Sequence, residues 1–177
     1  MKTNVTESLR VWRRRAIAAV GALLLVGSAV ARTEAAALMA VPGPACNYPW
    51  GSNTCLTITR LGNGIWGVLV GIDVHMSTQQ AQAILNAGGE LFVAVIMAND
   101  HDDPADDTTG LFEVPRTWLE VWDGGLSASF YIEVGSGALN EDRDRWLDEV
   151  CARVWLHDNL RGRTDIFHSG VLLGRWP

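Results

Sequence analysis

The chain has 177 residues, of which 48% are hydrophobic and 19% are charged, a length and balance that predict one folded domain and exclude a disordered chain. Five of its 14 lysines and arginines lie within the first 15 residues, and the remaining sequence holds nine arginines, no lysine and 19 carboxylates. Nucleic acid and anionic membrane surfaces require a basic face, so neither is an expected partner of this acidic sequence.

The N-terminal segment has the order of regions found in a secretory signal peptide. A basic run precedes an uncharged apolar stretch, Ala16 to Val30. Ala29 and Ala31 then supply the small residues that signal peptidase requires before its cleavage site. The apolar stretch is shorter than the roughly 20 residues of a membrane span, which favours cleavage, after Ala31 or after Ala37, over anchoring. The sequence therefore predicts a signal peptide over 1–31, export by the Sec or twin-arginine route, and no stable membrane span afterwards.

A linker over 32–45 is expected to lead into a single domain over 46–177, and the domain contains all three cysteines of the chain. Cys46 and Cys55 flank a segment rich in turn-forming residues, so we predict a disulfide between them. Closing this loop should stabilise the fold by roughly 2–3 kcal/mol. Cys151 lies in a strand-like run and is expected to pack as a small side chain, the alternatives being a catalytic thiol or an intermolecular bridge.

From Leu56 onward, short β-branched or aromatic segments alternate with residues that form turns, which is typical of antiparallel β-proteins. Glycine-containing turns are expected at residues 62–64 and at residues 123–125, where hairpins need positive φ. The predicted strands are Leu56–Arg60, Ile65–Met76, Glu90–Ala98, Thr117–Trp122, Leu126–Val134, Asp148–His157 and Ile166–Arg175.

One helix interrupts the strands. Ser77 and Gln80 have the spacing of a capping box, an apolar stripe follows at Ala81, Ile84 and Leu85, and two glycines end the segment. A parallel α/β fold would need a helix after nearly every strand. The predicted fold class is therefore all-β, an antiparallel β-sandwich of about seven strands with one short helix.

Alternation places polar side chains together on one strand face and two tryptophans together on another. Asp73 and His75 lie on the polar face of one predicted strand. They are either a pH-sensitive pair or ordinary polar residues at the surface. Trp118 and Trp122 share one face of another strand. Exposed tryptophans on a sandwich face allow sugar rings to stack, as in carbohydrate-binding modules, whereas core packing is the alternative for these aromatic residues.

Two acidic turns are candidate metal sites. Crowded carboxylates are stabilised either by solvent or by a hard cation, and calcium prefers six to eight oxygen ligands on a flexible loop. The two turns would form one calcium site if they lay at the same end of the sandwich; a solvated acidic loop is the alternative. The candidate ligands are Asp100, Asp102, Asp103, Asp106 and Asp107 in the first turn and Asp158 and Asp165 in the second.

The second turn also carries a resemblance to a known family. Residues 154–167 resemble the third calcium loop of C2 domains, which are β-sandwiches that bind phospholipid through calcium. Asp158 and Asp165 match aspartates of that loop. The family's additional aspartate, two residues before Asp158, is replaced by Leu156, and the spacing to Asp165 is one residue longer. The resemblance implies calcium binding at these two aspartates.

Several catalytic motifs are missing from the sequence. It contains no Gly-x-Ser-x-Gly, His-Glu-x-x-His or Cys-x-x-Cys and no phosphate-binding loop, and it has no lysine after residue 15, so common nucleophile, zinc and Schiff-base chemistries are disfavoured. We therefore expect a secreted, non-catalytic protein that binds an unidentified extracellular ligand or protein. A small extracellular hydrolase is the alternative, provided that Asp73, His75, His101 and a further acid converge in a cleft.

Overall fold

The structure of the protein is a computed structural model that describes residues 43–48, 51–98, 110–140 and 148–176. In this part of the chain, ten strands form two antiparallel sheets and one α-helix connects them. The all-β sandwich predicted from the alternation is thereby confirmed. The predicted signal peptide lies outside the described residues.

The first sheet contains five strands, and its two longest hairpins have the turns that the sequence predicts. Asn63 has φ 52° between Gly62 and Gly64, and Gly125, with φ 143°, begins the last strand of the other hairpin. In spatial order the strands are β1 (Ala45–Asn47), β2 (Ser52–Gly62), β3 (Ile65–His75), β7 (Gly125–Gly135) and β6 (Arg116–Trp122).

The second sheet is built around one long central strand, β8 (Asp148–Asp158). On one side β8 pairs with β4 (Phe92–Ala98), which in turn pairs with β5 (Gly110–Val114). On its other side β8 pairs with β9 (Arg163–His168) and, nearer its N-terminal end, with β10 (Leu172–Gly174). In both sheets, the strands alternate between apolar and polar side chains, and the apolar side chains point inward.

The prediction of one continuous last strand over Ile166–Arg175 is wrong, because the segment is divided into two strands. At the break, the Ser169 N–H donates to the Ala152 carbonyl at 2.9 Å, while the Ser169 hydroxyl accepts from the Ala152 N–H at 2.8 Å. A side chain thus replaces a backbone acceptor and interrupts the ladder. Gly170 then approaches β1 so closely that an added Cβ would lie 3.3 Å from the Cys46 carbonyl oxygen.

The core lies between the two sheets and consists of the inward residues of both. Phe130 of the first sheet and Phe92 of the second meet edge to face, with ring centroids 6.5 Å apart. Burying a side chain of this size contributes roughly 1.5–3 kcal/mol. Other fully buried core residues include Leu56, Ile58, Val68, Val70, Ile72, Leu126, Ala94, Ile96, Val150, Val154 and Leu156.

The helix α1 (Thr78–Ala87) carries the chain from the first sheet to the second. Its predicted capping box is present: the Ser77 hydroxyl accepts from the Gln80 N–H at 3.2 Å, and the Ser77 N–H donates to the Gln80 side chain at 3.1 Å. Ala81 and Ile84 are buried. None of the helices described here has both the length and the hydropathy of a membrane span.

The predicted disulfide is present and joins neighbouring strands. Cys46 on β1 and Cys55 on β2 are directly opposite each other in the register, with Cα atoms 4.1 Å apart. Cys151 is outside the disulfide and lies buried in β8, as expected from the strand-like run around it. The bridge therefore fastens the short edge strand β1 to the first sheet.

Candidate functional site

The outward face of the first sheet carries a row of polar side chains that crosses four strands. Asp73 on β3 lies opposite Asn53 on β2 and Ser127 on β7, and Glu120 on β6 lies opposite Ser127. We call these residues the polar row. Directly opposite residues of antiparallel strands point to the same side of a sheet, so the four side chains share one face.

Asp73 is the buried centre of the polar row. Only 5% of its surface is exposed, and the Ser127 hydroxyl donates to its Oδ1 atom at 2.5 Å. Burial raises the pKa of Asp73 above its usual value, against the opposing effects of the hydrogen bond from Ser127, the charge of His75 and a hydrogen bond with Asn53. The interpretation of Asp73 as ordinary surface polarity is thus wrong, because the carboxyl group is removed from solvent.

His75 and Trp122 lie in the next row towards the β6–β7 hairpin. Their ring centroids are 5.9 Å apart and their planes are nearly perpendicular, at 85°. The Trp122 ring also covers Gly124, where an added Cβ would overlap the indole. Trp122, predicted from the sequence as a stacking residue, is therefore already packed against His75 and the hairpin backbone.

Trp118 and Tyr131 lie on the opposite side of the polar row and are the exposed aromatic residues of this face. Each is 38% exposed. Trp118 is opposite Ser129, two residues before Tyr131 on β7, so the two residues are diagonal neighbours on adjacent strands. We call Trp118 and Tyr131 the aromatic pair.

Tyr131 is positioned by a glycine on the neighbouring strand. A Cβ added at Gly67 would lie 3.0 Å from the Tyr131 hydroxyl oxygen and 3.3 Å from a ring carbon, so the side chain lies across the backbone of β3. The hydroxyl donates to Glu133 at 3.1 Å. Partial burial, followed by the effects of Glu133, raises the pKa of Tyr131, so the phenol stays protonated and keeps donating this bond at neutral pH.

The second acidic turn is occupied by ion pairs with arginine. Asp158, 1% exposed, accepts a hydrogen bond from the Arg161 guanidinium at 3.3 Å, and Arg163 lies 3.8 Å away. Arg163 also contacts Asp165 at 2.8 Å. The arginines thus provide the positive charge that the sequence prediction assigned to calcium.

The first acidic turn, with its five predicted ligands between Asp100 and Asp107, lies outside the described residues, as does His101. Within the described ranges, no three or more His, Cys, Asp and Glu side chains are grouped so that they could hold a metal ion. Calcium binding by the two turns together stays a prediction. Of the residues proposed for a hydrolase, the structure brings Asp73 and His75 close together.

Sequence reasoning missed Tyr131 and three members of the polar row as site residues. The alternation in β7 places Ser127 and Tyr131 outward, so a local signal for their orientation existed. No local signal links Ser127 to Asp73, which is 54 residues away in the chain. Glu120 and Asn53 join the row only through the pairing of β6 and β2 with their neighbours.

The chain has no match among known protein families, curated proteins or solved structures.

Proposed function

We propose that the protein is exported and acts outside the cell as a non-catalytic binding protein, with its ligand site on the outward face of the first sheet. The observation that carries this proposal is the position of the exposed aromatic pair, Trp118 and Tyr131, beside the polar row. Neighbouring exposed rings bordered by hydrogen-bonding groups are typical of binding surfaces.

The rigid strands that carry the two rings also support this location of the site. Both rings are attached to paired strands of a five-stranded sheet, and Tyr131 is held by Gly67 below it and by Glu133 at its hydroxyl. Side chains that are fixed before the ligand arrives lose little conformational entropy on binding. The face is therefore prepared for a ligand without rearrangement of the backbone.

The test is retention of the purified, exported protein on the envelope and secreted polymers of the cells that export it, measured by co-sedimentation. We expect the wild-type protein to be retained and the double variant Trp118→Ala/Tyr131→Ala to remain in the supernatant. Trp155→Ala is the matched control, because Trp155 lies on the outward side of the second sheet, opposite Val93 and Ile166. Equal retention of the double variant and the wild-type protein would refute the proposed location.

The predicted export has a separate test. N-terminal sequencing of the protein from the culture medium or the cell envelope should show a start after Ala31 or after Ala37. An intact N-terminus on protein recovered only from the cytoplasm would contradict the export part of the proposal.

A hydrolase at the same face is the second candidate function. It is favoured by Asp73, a buried carboxyl group whose pKa burial raises, with His75 two residues away on the same strand face, since general acids are often tuned by burial and neighbouring charge. Hydrolysis of nitrophenyl glycosides or esters that is lost in Asp73→Asn, with ligand retention unchanged, would favour this function over binding alone.

A further inference from the structure

The aromatic pair places two exposed rings on one face of the sheet, Trp118 on β6 and Tyr131 on β7. Tyr131 lies across β3 above Gly67, so one side of the phenol rests on the backbone and the other side faces outward. Trp118 projects from the adjacent edge strand β6. Tyr and Trp offer large contact areas with few rotatable bonds, and rings arranged on a flat sheet suit a flat ligand better than a compact one.

Hydroxyl, amide and carboxyl groups surround the two rings. Thr57 and Thr59 lie on the same side of β2, opposite Leu69 and Gly67 of β3. The polar row lies on the other side, one outward position from Trp118 and two from Tyr131 along the strands. A ligand that covers the rings would therefore need many groups that both donate and accept hydrogen bonds.

The charge of this face favours a neutral or cationic ligand over an anionic one. Its outward carboxylates are Asp73, Glu120 and Glu133, whereas the basic groups are His75 and the exposed Arg116, which lies at the register shift before Trp118. Phosphate, sulfate and uronate groups require lysine or arginine. A neutral or cationic ligand thus suits this face better than an anionic one.

The arrangement of the carboxylates favours a neutral ligand over a cationic one. Asp73 is buried and bound by Ser127, and Glu133 accepts a hydrogen bond from Tyr131. Recognition of a cation by aromatic residues uses ring faces around one point, whereas Trp118 projects from β6 and Tyr131 lies across β3 on the other side of β7. A pyranose ring combines an apolar C–H face with hydroxyl groups at its rim, which matches rings bordered by polar side chains.

We infer that the ligand is a neutral polysaccharide, whose sugar rings stack on Trp118 and Tyr131 while their hydroxyl groups bind the polar side chains beside the pair. This inference rests on the proposed function, and it names the ligand class for the same site. Trp118 and Tyr131 are the residues that contact the sugar, and Gly67 is a positioning residue that acts through Tyr131.

The first experiment compares retention on envelope and polymer material that has been treated in three ways. Periodate opens sugar rings at vicinal hydroxyl groups, so we expect periodate treatment to remove most of the retention, whereas protease digestion leaves it unchanged. Retention in 1 M salt should match retention in 0.1 M salt, since a neutral ligand is not held by screened charges. Loss of retention after protease digestion, or in 1 M salt, would overturn the inference.

The second experiment titrates the purified protein with soluble neutral hexasaccharides of β-1,4-glucan, β-1,3-glucan, α-1,4-glucan and β-1,4-mannan, followed by tryptophan fluorescence. We expect one of them to bind and to compete with retention. Trp118→Ala should weaken this binding about tenfold or more, as for a central aromatic contact, and Trp155→Ala should leave it unchanged. Tetramethylammonium is the cationic probe, and competition by it alone would overturn the inference.

Variants around Tyr131 separate stacking from a structural effect. Tyr131→Phe keeps the ring and removes the bond to Glu133, so binding should fall by about threefold or less. Gly67→Ala places a methyl group 3.0 Å from the Tyr131 hydroxyl oxygen, so the phenol must shift by a few tenths of an ångström and binding should fall measurably. Unchanged binding in Tyr131→Ala, with a melting temperature close to that of the wild-type protein, would refute the stacking role.

The two proposals fail in different ways. If the aromatic pair is needed for retention but periodate has no effect and no hexasaccharide competes, the saccharide inference is wrong and the proposed binding face stands. If Trp118→Ala/Tyr131→Ala is retained like the wild-type protein, the binding face itself is wrong.

Discussion

Replacing both Cys46 and Cys55 by alanine should lower the free energy of unfolding, because the unfolded chain regains the conformational entropy that the cross-link removes. The bridged cysteines are nine positions apart, and a loop of about ten residues corresponds to about 9 cal/mol/K, or about 2.7 kcal/mol at 25 °C. Alanine is chosen because Cys55 is buried and serine would add a buried hydroxyl group. For a sandwich of roughly 130 residues, the melting temperature should fall by about 8–10 °C.

The loop-closure value is the upper limit of the loss, because β1 is held weakly by its own contacts. The strand β1 has three residues and pairs with β2 through Ala45, Cys46 and Asn47, so it contributes few hydrogen bonds of its own. Its other neighbour is Gly170, beside Cys46. Without the cross-link, β1 is expected to fray while the rest of the sheet remains folded.

Thermal unfolding followed by circular dichroism measures the effect, with and without reductant. Reduced wild-type protein should melt near the temperature of Cys46→Ala/Cys55→Ala, and the variant should not respond to reductant. The control Cys151→Ala retains the bridge, so reductant should lower its melting temperature as much as that of the wild-type protein. A decrease below about 2 °C in the double variant, or complete unfolding at 25 °C, would refute the loop-closure reasoning.

Three further predictions concern Asp73, Gly125 and Ser77. Because burial raises the pKa of Asp73, the folded state binds the proton of this carboxyl group more tightly than the unfolded state. This proton binding stabilises the fold fully below pH 3.8, and the stabilisation is lost as the pH rises through the pKa of the folded state. The stability of Asp73→Asn relative to wild type should therefore increase between pH 3 and pH 7 in urea unfolding, and a constant difference would contradict this. Gly125→Ala should lower the free energy of unfolding by about 3 kcal/mol or more, because φ at this position is positive and the new Cβ would overlap the Val74 carbonyl oxygen. Soluble protein with a melting temperature near that of the wild type would contradict this prediction. Ser77→Ala removes the helix cap and should cost about 1 kcal/mol, measured by urea unfolding, whereas no loss would show that the cap contributes nothing.

Much of the fold could be predicted because strands are specified locally. The strand predicted from Ile65 to Met76 ends in the structure at His75, and its inward and outward residues are those that the alternation gives. The glycines of both long hairpins and the pair Ser77 and Gln80 likewise act on their immediate neighbours. Local steric and hydrogen-bonding rules were enough to place these elements.

Prediction failed where a contact from another strand decided the local structure. The break after His168 depends on the bonds between Ser169 and Ala152, and nothing near Ser169 in the sequence indicates that partner. The edge strands β1 and β5 are too short for a periodic pattern. Their backbone becomes extended because each lies beside a longer strand with free hydrogen-bonding groups.

The sequence by itself determined that this chain is a β-sandwich with one capped helix and a Cys46–Cys55 bridge, and that Trp118 and Trp122 share one face of a strand. Only the tertiary structure decided which outward residues become neighbours. Asp73 is buried, and bound by Ser127, because β7 returns to pair with β3 after the chain has built two strands of the other sheet. Alternation gives the direction of a side chain within its own strand, whereas the order and register of the strands decide what it meets.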